Sequence, residues 1–299
     1  MATLDIQPLQ DGLPFGVRIT GATRADLDDA AVRQQLVAAF EQHGMIVFSA
    51  VNPSNAMQVA LSEVFGPLKD HPVAGVERVD PALPGVVAIN SPPGSGGVVA
   101  LGGQRLSHWL PWHFDHCYNN ELNRAGVLRA IEIVPQGGVT GFADGVAIYR
   151  AFPKDLLAQI EGREIVYTLA VQYETMRFGR PDSFAVIRPK PSPPGFEDQA
   201  RSMPRALHPA VWTRATGEKV LHISPWMAAG IAGAEDADGD ALLEAVSQEI
   251  RRLADLKSYH HHWQSDEMVI WDNLLMLLFV YGNFTGLLCI MLRTSIMGY

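Results

Sequence analysis

The spacing of apolar and polar positions predicts helices in the front part of the chain. Residues 25–43 place apolar side chains at helical intervals, with acidic residues in the first turn and Gly44 just past the end. Met45–Phe48 follows as a short buried strand. Similar helical patterns predict further helices at 55–64, 154–161 and 240–257, the last being the clearest.

From about residue 109 onward, short strand patterns with turn signals dominate. The predicted strands lie at 127–133, 139–143, 259–263, 267–271 and 289–296. Two segments rich in Gly and Pro, 71–110 and 178–206, have weak periodicity, and we interpret them as irregular, lid-like insertions. The pattern predicts a mainly β fold with outer helices (α+β), a sandwich or barrel formed by residues 1–299 as one domain.

One long apolar run requires a choice between a membrane helix and strands. Residues 274–292 form a stretch of nineteen residues without a charge, which meets the length of a spanning helix. Tyr281-Gly282-Asn283 and Thr285-Gly286 interrupt the run with turn chemistry. We therefore predict two buried strands joined by a tight loop, and no membrane as a partner.

Composition narrows the classes of function. With 47% hydrophobic and 18% charged residues the chain resembles an ordinary soluble globule, and its apolar balance is compatible with a homo-oligomer. A net charge of −9 without a Lys/Arg-rich run argues against a nucleic-acid partner. The two cysteines, Cys117 and Cys289, lack metal-type spacing, and residues 1–12 lack the pattern of a secretory signal. We expect a reduced, cytoplasmic setting.

The most informative motif is Trp112-His113-Phe114-Asp115. On a strand, residues two apart share a face, so His113 and Asp115 can reach one metal ion. An imidazole and a carboxylate suit Fe(II), and a second histidine would complete the facial triad of non-haem iron oxygenases. For an isolated His-x-Asp motif, the open alternative is that the histidine is a structural residue held by hydrogen bonds.

Several segments in fixed order resemble one family. The motif is followed by Gly137-Gly138-Val139-Thr140 and, near the end, by Val269-Ile270-Trp271-Asp272-Asn273. Together with Phe15–Gly21, His43–Phe48, Phe65–Leu68 and Arg293–Ile296, these segments resemble the taurine dioxygenase (TauD/TfdA) family of Fe(II)/2-oxoglutarate-dependent oxygenases. The resemblance covers essentially the whole chain.

The resemblance implies a double-stranded β-helix, or jelly roll, that oxidises a small molecule with molecular oxygen while decarboxylating 2-oxoglutarate. His113 and Asp115 would bind iron, Thr140 would contact 2-oxoglutarate, and His71 would reach the primary substrate. The alternatives without a role in function are that Thr140 is an ordinary strand residue after a turn and that His71 is a solvated loop histidine.

Two positions depart from the family pattern. The family's distal histidine lies five residues after the Asn of Trp-Asp-Asn, which is Leu278 here. The arginine that grips the distal carboxylate of 2-oxoglutarate is replaced by Cys289, whereas the arginine four residues later is kept as Arg293. Leucine has no lone pair for a metal, and cysteine cannot supply the bidentate cation.

Three interpretations remain open from the sequence. The protein is an oxygenase that recruits another ligand, from His116, His222 or His260–His262, and uses Arg293 for the cosubstrate. Alternatively, it is a catalytically impaired or non-catalytic member that binds an apolar ligand. In the third interpretation, the C-terminal segment is an altered version of that of an active parent. The retained His113, Asp115, Thr140 and Arg293 favour the oxygenase.

Overall fold

The computed structural model describes residues 4–298 except 72–75, 77, 81, 84, 93, 193 and 285–287. The helices among these residues are α1 (Ala30–His43), α2 (Asn55–Ser62), α3 (Gly145–Ala151), α4 (Lys154–Ile160), α5 (Phe196–Ser202) and α6 (Ala237–Lys257). The strands are β1 (Ile6–Pro8), β2 (Val17–Thr20), β3 (Met45–Ser49), β4 (Leu68–Lys69), β5 (Val87–Ser91), β6 (Val98–Leu101), β7 (Gln104–Ser107), β8 (Leu110–His113), β9 (Asn123–Glu132), β10 (Thr140–Asp144), β11 (Glu164–Tyr167), β12 (Ala185–Arg188), β13 (Ala206–Pro209), β14 (Val211–Thr213), β15 (Lys219–Leu221), β16 (Ala228–Ile231), β17 (Tyr259–His261), β18 (Met268–Asp272), β19 (Met276–Val280), β20 (Asn283–Phe284) and β21 (Cys289–Met297).

Two sheets form the centre of the molecule. The larger has the order β1-β2-β3-β18-β9-β21-β4, with β5 also paired to β21, and the smaller has the order β17-β10-β19-β8. Side chains from both sheets share one buried apolar cluster, which includes Val47, Trp271, Phe142 and Leu278. These packed sheets, which are antiparallel except for the parallel pair β2–β3, fit the predicted jelly roll.

Helices cover the outer surfaces of the two sheets. Leu36 and Phe40 of α1 and Leu61 of α2 pack in one cluster with β-strand residues of the larger sheet. On the other side, residues of α6 such as Leu243 and Ile250 pack in a cluster that also contains Leu277 of β19.

The four predicted helices are confirmed, with one shifted start. Asp29 caps α1 by accepting a hydrogen bond from Ala31 N at 2.8 Å, and a 3-10 turn occupies Asp26–Asp28. The N-cap residue is the one immediately before the first helical residue, so with Asp29 as the N-cap the helix begins at Ala30 and not at residue 25. Gly44 ends it in the left-handed conformation at φ 68°, as predicted.

The apolar run at 274–292 forms strands, as predicted. β19, β20 and the start of β21 lie in it, and Thr285-Gly286 of the predicted turn lies outside the described residues. Within the part of the chain that the structure describes, no helix has the length and apolar character needed to cross a membrane.

The prediction of irregular insertions at 71–110 and 178–206 is wrong in part. The first contains β5, β6 and β7, and the second contains β12 and α5. β12 pairs with β6 in a four-stranded sheet of order β12-β6-β7-β20. Each insertion supplies a partner strand to the other, so its regular structure depends on long-range pairing that local periodicity does not reveal.

Candidate active site

His113 and Asp115 lie together at the end of β8. His113 is the last residue of the strand, and the two side chains are nearly buried. His113 Nε2 lies 3.8 Å from Asp115 Oδ1. Two donors at this separation can share one metal ion, since metal–ligand bonds of about 2 Å reach from each side.

The imidazole of His113 is oriented for ligation through Nε2. Its Nδ1 donates to the carbonyl oxygen of Pro111 at 2.7 Å, which leaves the lone pair on Nε2. The Trp226 ring meets the imidazole edge to face, with centroids 5.3 Å apart. Burial lowers the pKa of His113, so the ring is held neutral, the form that binds a metal.

Asn273 fixes the backbone of the aspartate. Its Oδ1 accepts from Asp115 N at 2.9 Å, and its Nδ2 donates to Asp115 O at 3.0 Å and to Asn123 O at 3.1 Å. The Trp-Asp-Asn motif thus ties the turn after β18 to the residue that follows β8. In the sequence, Asn273 served only to locate position 278, and its hydrogen bonds to Asp115 are visible only in the structure.

Arg293 forms an ion pair with the aspartate. Its Nη2 lies 2.9 Å from Asp115 Oδ2, and both side chains are nearly buried. Arg293 is on β21, four residues after Cys289. The guanidinium is therefore engaged with the carboxylate that the sequence assigns to the metal.

Leu278 occupies the position that the sequence predicts for the third ligand. On β19 it is the direct cross-strand partner of His113 on β8, so the two side chains stand on the same face of the sheet. Leu278 is 5% exposed and packs in the apolar cluster shared by the two sheets. The residues present supply two donors of the facial triad and do not complete it.

The histidines considered as replacements do not fill the gap. His222 lies behind the site, stacked on Phe114, with Nε2 donating to Asn273 O at 2.8 Å. His261 pairs with Glu267, and His260 is exposed on the same strand. In the described ranges, no three His, Cys, Asp or Glu side chains come close enough together to hold a metal ion.

His116 is near the pair in sequence, but in the part of the chain that the structure describes it does not complete a group of three possible metal ligands. Its backbone is left-handed, at φ 60°, and its ring packs at right angles to His71 with centroids 5.1 Å apart. Burial, with the nearby Arg293, His71 and Lys69, lowers the pKa of His116 well below its usual value. The ring is a neutral wall of the cavity.

A cavity of about 690 Å³ opens over the His113–Asp115 pair, and we call it the metal-pair cavity. His71, His116 and Arg293 line it together with the pair, so five residues singled out in the sequence meet here. Most of the remaining wall is apolar or aromatic, with Leu169, Val171, Phe196, Trp226 and Met227. Such a lining suits a small molecule with an apolar body.

Thr140 lies in a second, adjoining cavity of about 490 Å³, which we call the threonine cavity. Its Oγ1 accepts a hydrogen bond from Trp263 Nε1 at 3.0 Å, which leaves the hydroxyl proton available for an acceptor. Cys289 lines the same cavity, where the family pattern has an arginine. Burial raises the pKa of the Cys289 thiol, so it offers no charge of its own.

Two residues of the cavity walls were not found by sequence analysis. Trp226 packs on His113, and Lys190 lines both cavities. Neither belongs to a motif with known spacing. The available signal was the position of Lys190 between two prolines in Arg188-Pro189-Lys190-Pro191, since proline restricts the backbone around it.

Comparison with known proteins identifies the family. The sequence profile described as "Taurine catabolism dioxygenase TauD, TfdA family" matches residues 5–277. The match ends one residue before Leu278, so both departures, Leu278 and Cys289, lie beyond it.

Individual relatives agree with that match. The chain is 31% identical to the (S)-phenoxypropionate/alpha-ketoglutarate-dioxygenase of Sphingobium herbicidovorans, over 91% of this chain and 88% of the relative. It is 28% identical to the alpha-ketoglutarate-dependent 2,4-dichlorophenoxyacetate dioxygenase of Cupriavidus pinatubonensis, over 78% of this chain and 77% of the relative.

The fold is likewise shared with solved structures. The structure of AAD-2 in complex with Mn(II) and N-oxalylglycine matches with a TM-score of 0.74 at 19% identity, covering all of this chain and 98% of the other. These matches favour an enzyme over a non-catalytic binding protein. The chain belongs to the TauD/TfdA family of dioxygenases, which use Fe(II) and 2-oxoglutarate.

Proposed function

We propose that this dioxygenase acts on a small molecule with an apolar, aromatic-sized body, and that His113 and Asp115 are its metal ligands. The observation that carries the proposal is the 3.8 Å approach of His113 Nε2 to Asp115 Oδ1 at the wall of the metal-pair cavity. The cavity volume of about 690 Å³ is ample for one substrate of drug-like size. The phenoxypropionate relative acts on a molecule of this kind.

The remaining predicted residues take supporting roles. Thr140 donates its hydroxyl proton to 2-oxoglutarate, and Arg293 contacts the cosubstrate after leaving Asp115. His71, which packs on His116 in the wall of the metal-pair cavity, faces the primary substrate. Fe(II) and 2-oxoglutarate together supply the oxidising chemistry in this family, and the protein's own part is to bind and orient the substrates and to exclude water.

The incomplete triad sets a limit on this activity. Loss of a supporting partner of a ligand costs roughly 10–100-fold in metal affinity or activity, and loss of a ligand itself costs more. The Arg293 ion pair adds to the cost, because the guanidinium on Asp115 Oδ2 competes with a metal at Oδ1 for the negative charge of the carboxylate. We propose that the chain binds Fe(II) weakly through two residues and turns over slowly.

The two insertions close the site. Segment 71–110 contributes Val76 and Asn90 to the metal-pair cavity, and segment 178–206 contributes Lys190 and Phe196. We propose that both insertions act as lids. Because the insertions share a sheet through β6 and β12, they would shield the reacting groups from water as one unit.

The test is succinate formation from 2-oxoglutarate in the presence of Fe(II), oxygen and phenoxyacetate. We expect succinate above a metal-free control, and a loss to the control level for His113→Ala. His260→Ala changes an exposed histidine away from the site and should behave as the parent does. Succinate that stays at the metal-free level at saturating Fe(II) would overturn the proposed activity and support a binding protein.

A further inference from the structure

Lys190 stands on the wall that the two cavities share. It lines the metal-pair cavity with His113 and Asp115, and it also lines the threonine cavity with Thr140 and Cys289. A side chain in this place can reach a ligand in either cavity. It follows β12 in the second insertion, far in sequence from the metal motif.

The ammonium of Lys190 lacks an anionic partner. Across the described residues, no Asp or Glu oxygen lies within 4.0 Å of its Nζ, whereas Arg293, the other strong cation of these walls, is paired with Asp115. Lys190 Nζ lies 6.0 Å from the centre of the Trp226 ring, and the same ring packs on His113. The charge is thus held next to the proposed metal ligand by an aromatic face.

The surroundings make an unpaired charge costly. Lys190 is half-buried, and this burial lowers the pKa of its ammonium. A charge that is partly removed from water gains from an anionic partner, and an anion has room beside Lys190 in two cavities.

The backbone of Lys190 is held in a fixed position. Pro189 and Pro191 restrict it on both sides. Its Cα and Cβ pack so closely on Gly97 that a Cβ added to that glycine would lie 3.2 Å from each. Just before these residues in the two segments, Arg188 Nε donates a hydrogen bond to Gly96 O at 3.1 Å. The lysine is therefore presented by a packed segment.

We propose that Lys190 binds a carboxylate at the wall between the two cavities. A charge-assisted hydrogen bond from the ammonium would satisfy both charges in a poorly solvated place. The carboxylate has two possible sources. One is the distal carboxylate of 2-oxoglutarate, which finds no cation at Cys289, and the other is an acid group on the primary substrate. The inference rests on the proposed function for these two ligands, but the binding step requires no turnover.

The test is calorimetric titration of the metal-free protein with three probes: 2-oxoglutarate, phenoxyacetate and the neutral phenoxyacetamide. For Lys190→Met, we expect affinity for at least one carboxylate probe to fall about tenfold or more, as loss of a hydrogen bond to a charged group implies. Affinity for phenoxyacetamide should change less than about twofold, since the amide carries no charge. Lys190→Arg keeps the charge and should retain most of the binding.

The pattern of losses identifies the source. A loss confined to 2-oxoglutarate assigns Lys190 to the cosubstrate, and a loss confined to phenoxyacetate assigns it to the primary substrate; a loss of both means that the wall accepts either acid. Lys154→Met, at an exposed position, is the matched control, and thermal unfolding verifies that each variant is folded.

Two results would overturn the proposal: parent protein that binds neither carboxylate, or Lys190→Met that binds both as well as the parent. Failure of the proposed activity is distinguishable. In that case Lys190-dependent binding persists while succinate formation stays at the metal-free level.

Discussion

Leu278 faces His113 across two antiparallel strands, so a histidine at this position would bring a third donor to the pair. We expect Leu278→His to raise Fe(II) affinity by more than about tenfold, because a ligand contributes at least as much as a supporting partner does. Anaerobic titration calorimetry with Fe(II) measures the change. Leu278→Met, which keeps the site apolar and similar in volume, is the control. Equal affinity of the His and Met variants would contradict the assignment of position 278.

The ion pair between Arg293 and Asp115 should make the effects of replacing the two residues on the free energy of unfolding non-additive. Removing one partner of a buried pair leaves an uncompensated charge, so we expect Arg293→Met to lower the free energy of unfolding by about 3 kcal/mol. Arg293→Met combined with Asp115→Asn should be less destabilised than the sum of the two single variants. Urea unfolding of the four proteins without metal measures the coupling. Additive effects would show that the pair at 2.9 Å contributes little.

His222 should make the fold sensitive to acid. Burial lowers the pKa of His222 to about 3 from an ordinary value of 6.5, so the unfolded chain binds a proton that the folded protein excludes over this range. Its contribution to stability is fully present above pH 6.5 and is lost as the pH falls towards 3, by up to about 1.4 kcal/mol per pH unit.

We therefore expect the free energy of unfolding of His222→Gln to depend less steeply on pH between 6.5 and 4 than that of the parent. Urea unfolding at several pH values provides the slopes. His262→Gln, at an exposed position, is the control. Parallel slopes for parent and His222→Gln would exclude His222 as the source of the acid sensitivity.

At the scale of elements, the turn after β18 positions the end of β8. Asn273 makes three hydrogen bonds of 2.9–3.1 Å to backbone atoms of Asp115 and Asn123. Asn273→Ala leaves these buried groups unpaired, and we expect a loss of about 2–4 kcal/mol in the free energy of unfolding. Fe(II) affinity should fall by roughly 10–100-fold, since Asp115 loses its support.

Urea unfolding and Fe(II) titration measure these two effects. Asn120→Ala provides the control, because Asn120 Oδ1 accepts one hydrogen bond, from Leu207 N at 3.1 Å, at an exposed position. An Asn273→Ala protein as stable as the control would show that the turn does not position Asp115.

The elements themselves were largely predictable where the signal is local. The amphipathic spacing of α1 and α6 and the short strand β18 could be located from the sequence within a few residues. The insertions could not, because β6 and β12 are far apart in sequence and form regular structure by pairing with each other. Local periodicity carries no information about a partner strand so distant.

At the scale of the whole molecule, the site residues that belong to sequence motifs were predictable, and the other residues of the cavity walls were not. The sequence predicted one site that includes His71, His113, Asp115 and Arg293, and the structure places these residues around one cavity. It separates Thr140 from them, in the adjoining cavity, because β10 and β8 lie on opposite sides of β19. Lys190 and Trp226 were missed because their approach to the site depends on how distant segments pack.

The two departures of the C-terminal segment would affect different ligands, since Leu278 lies opposite His113 in the buried apolar cluster and Cys289 lines the threonine cavity. Their repair should therefore be cooperative at the level of turnover. Leu278→His supplies a donor beside His113, and Cys289→Arg supplies a cation beside Thr140. Metal and cosubstrate must be bound together for turnover, so we expect the double variant to form succinate faster than the sum of the two single variants. The measurement is succinate formation at fixed Fe(II) and 2-oxoglutarate, with Leu278→Met/Cys289→Met as the volume control and thermal unfolding as the check of the fold. A folded double variant no faster than the parent would show that the altered C-terminal segment does not account for weak turnover, and that the remaining limit lies with residues outside it.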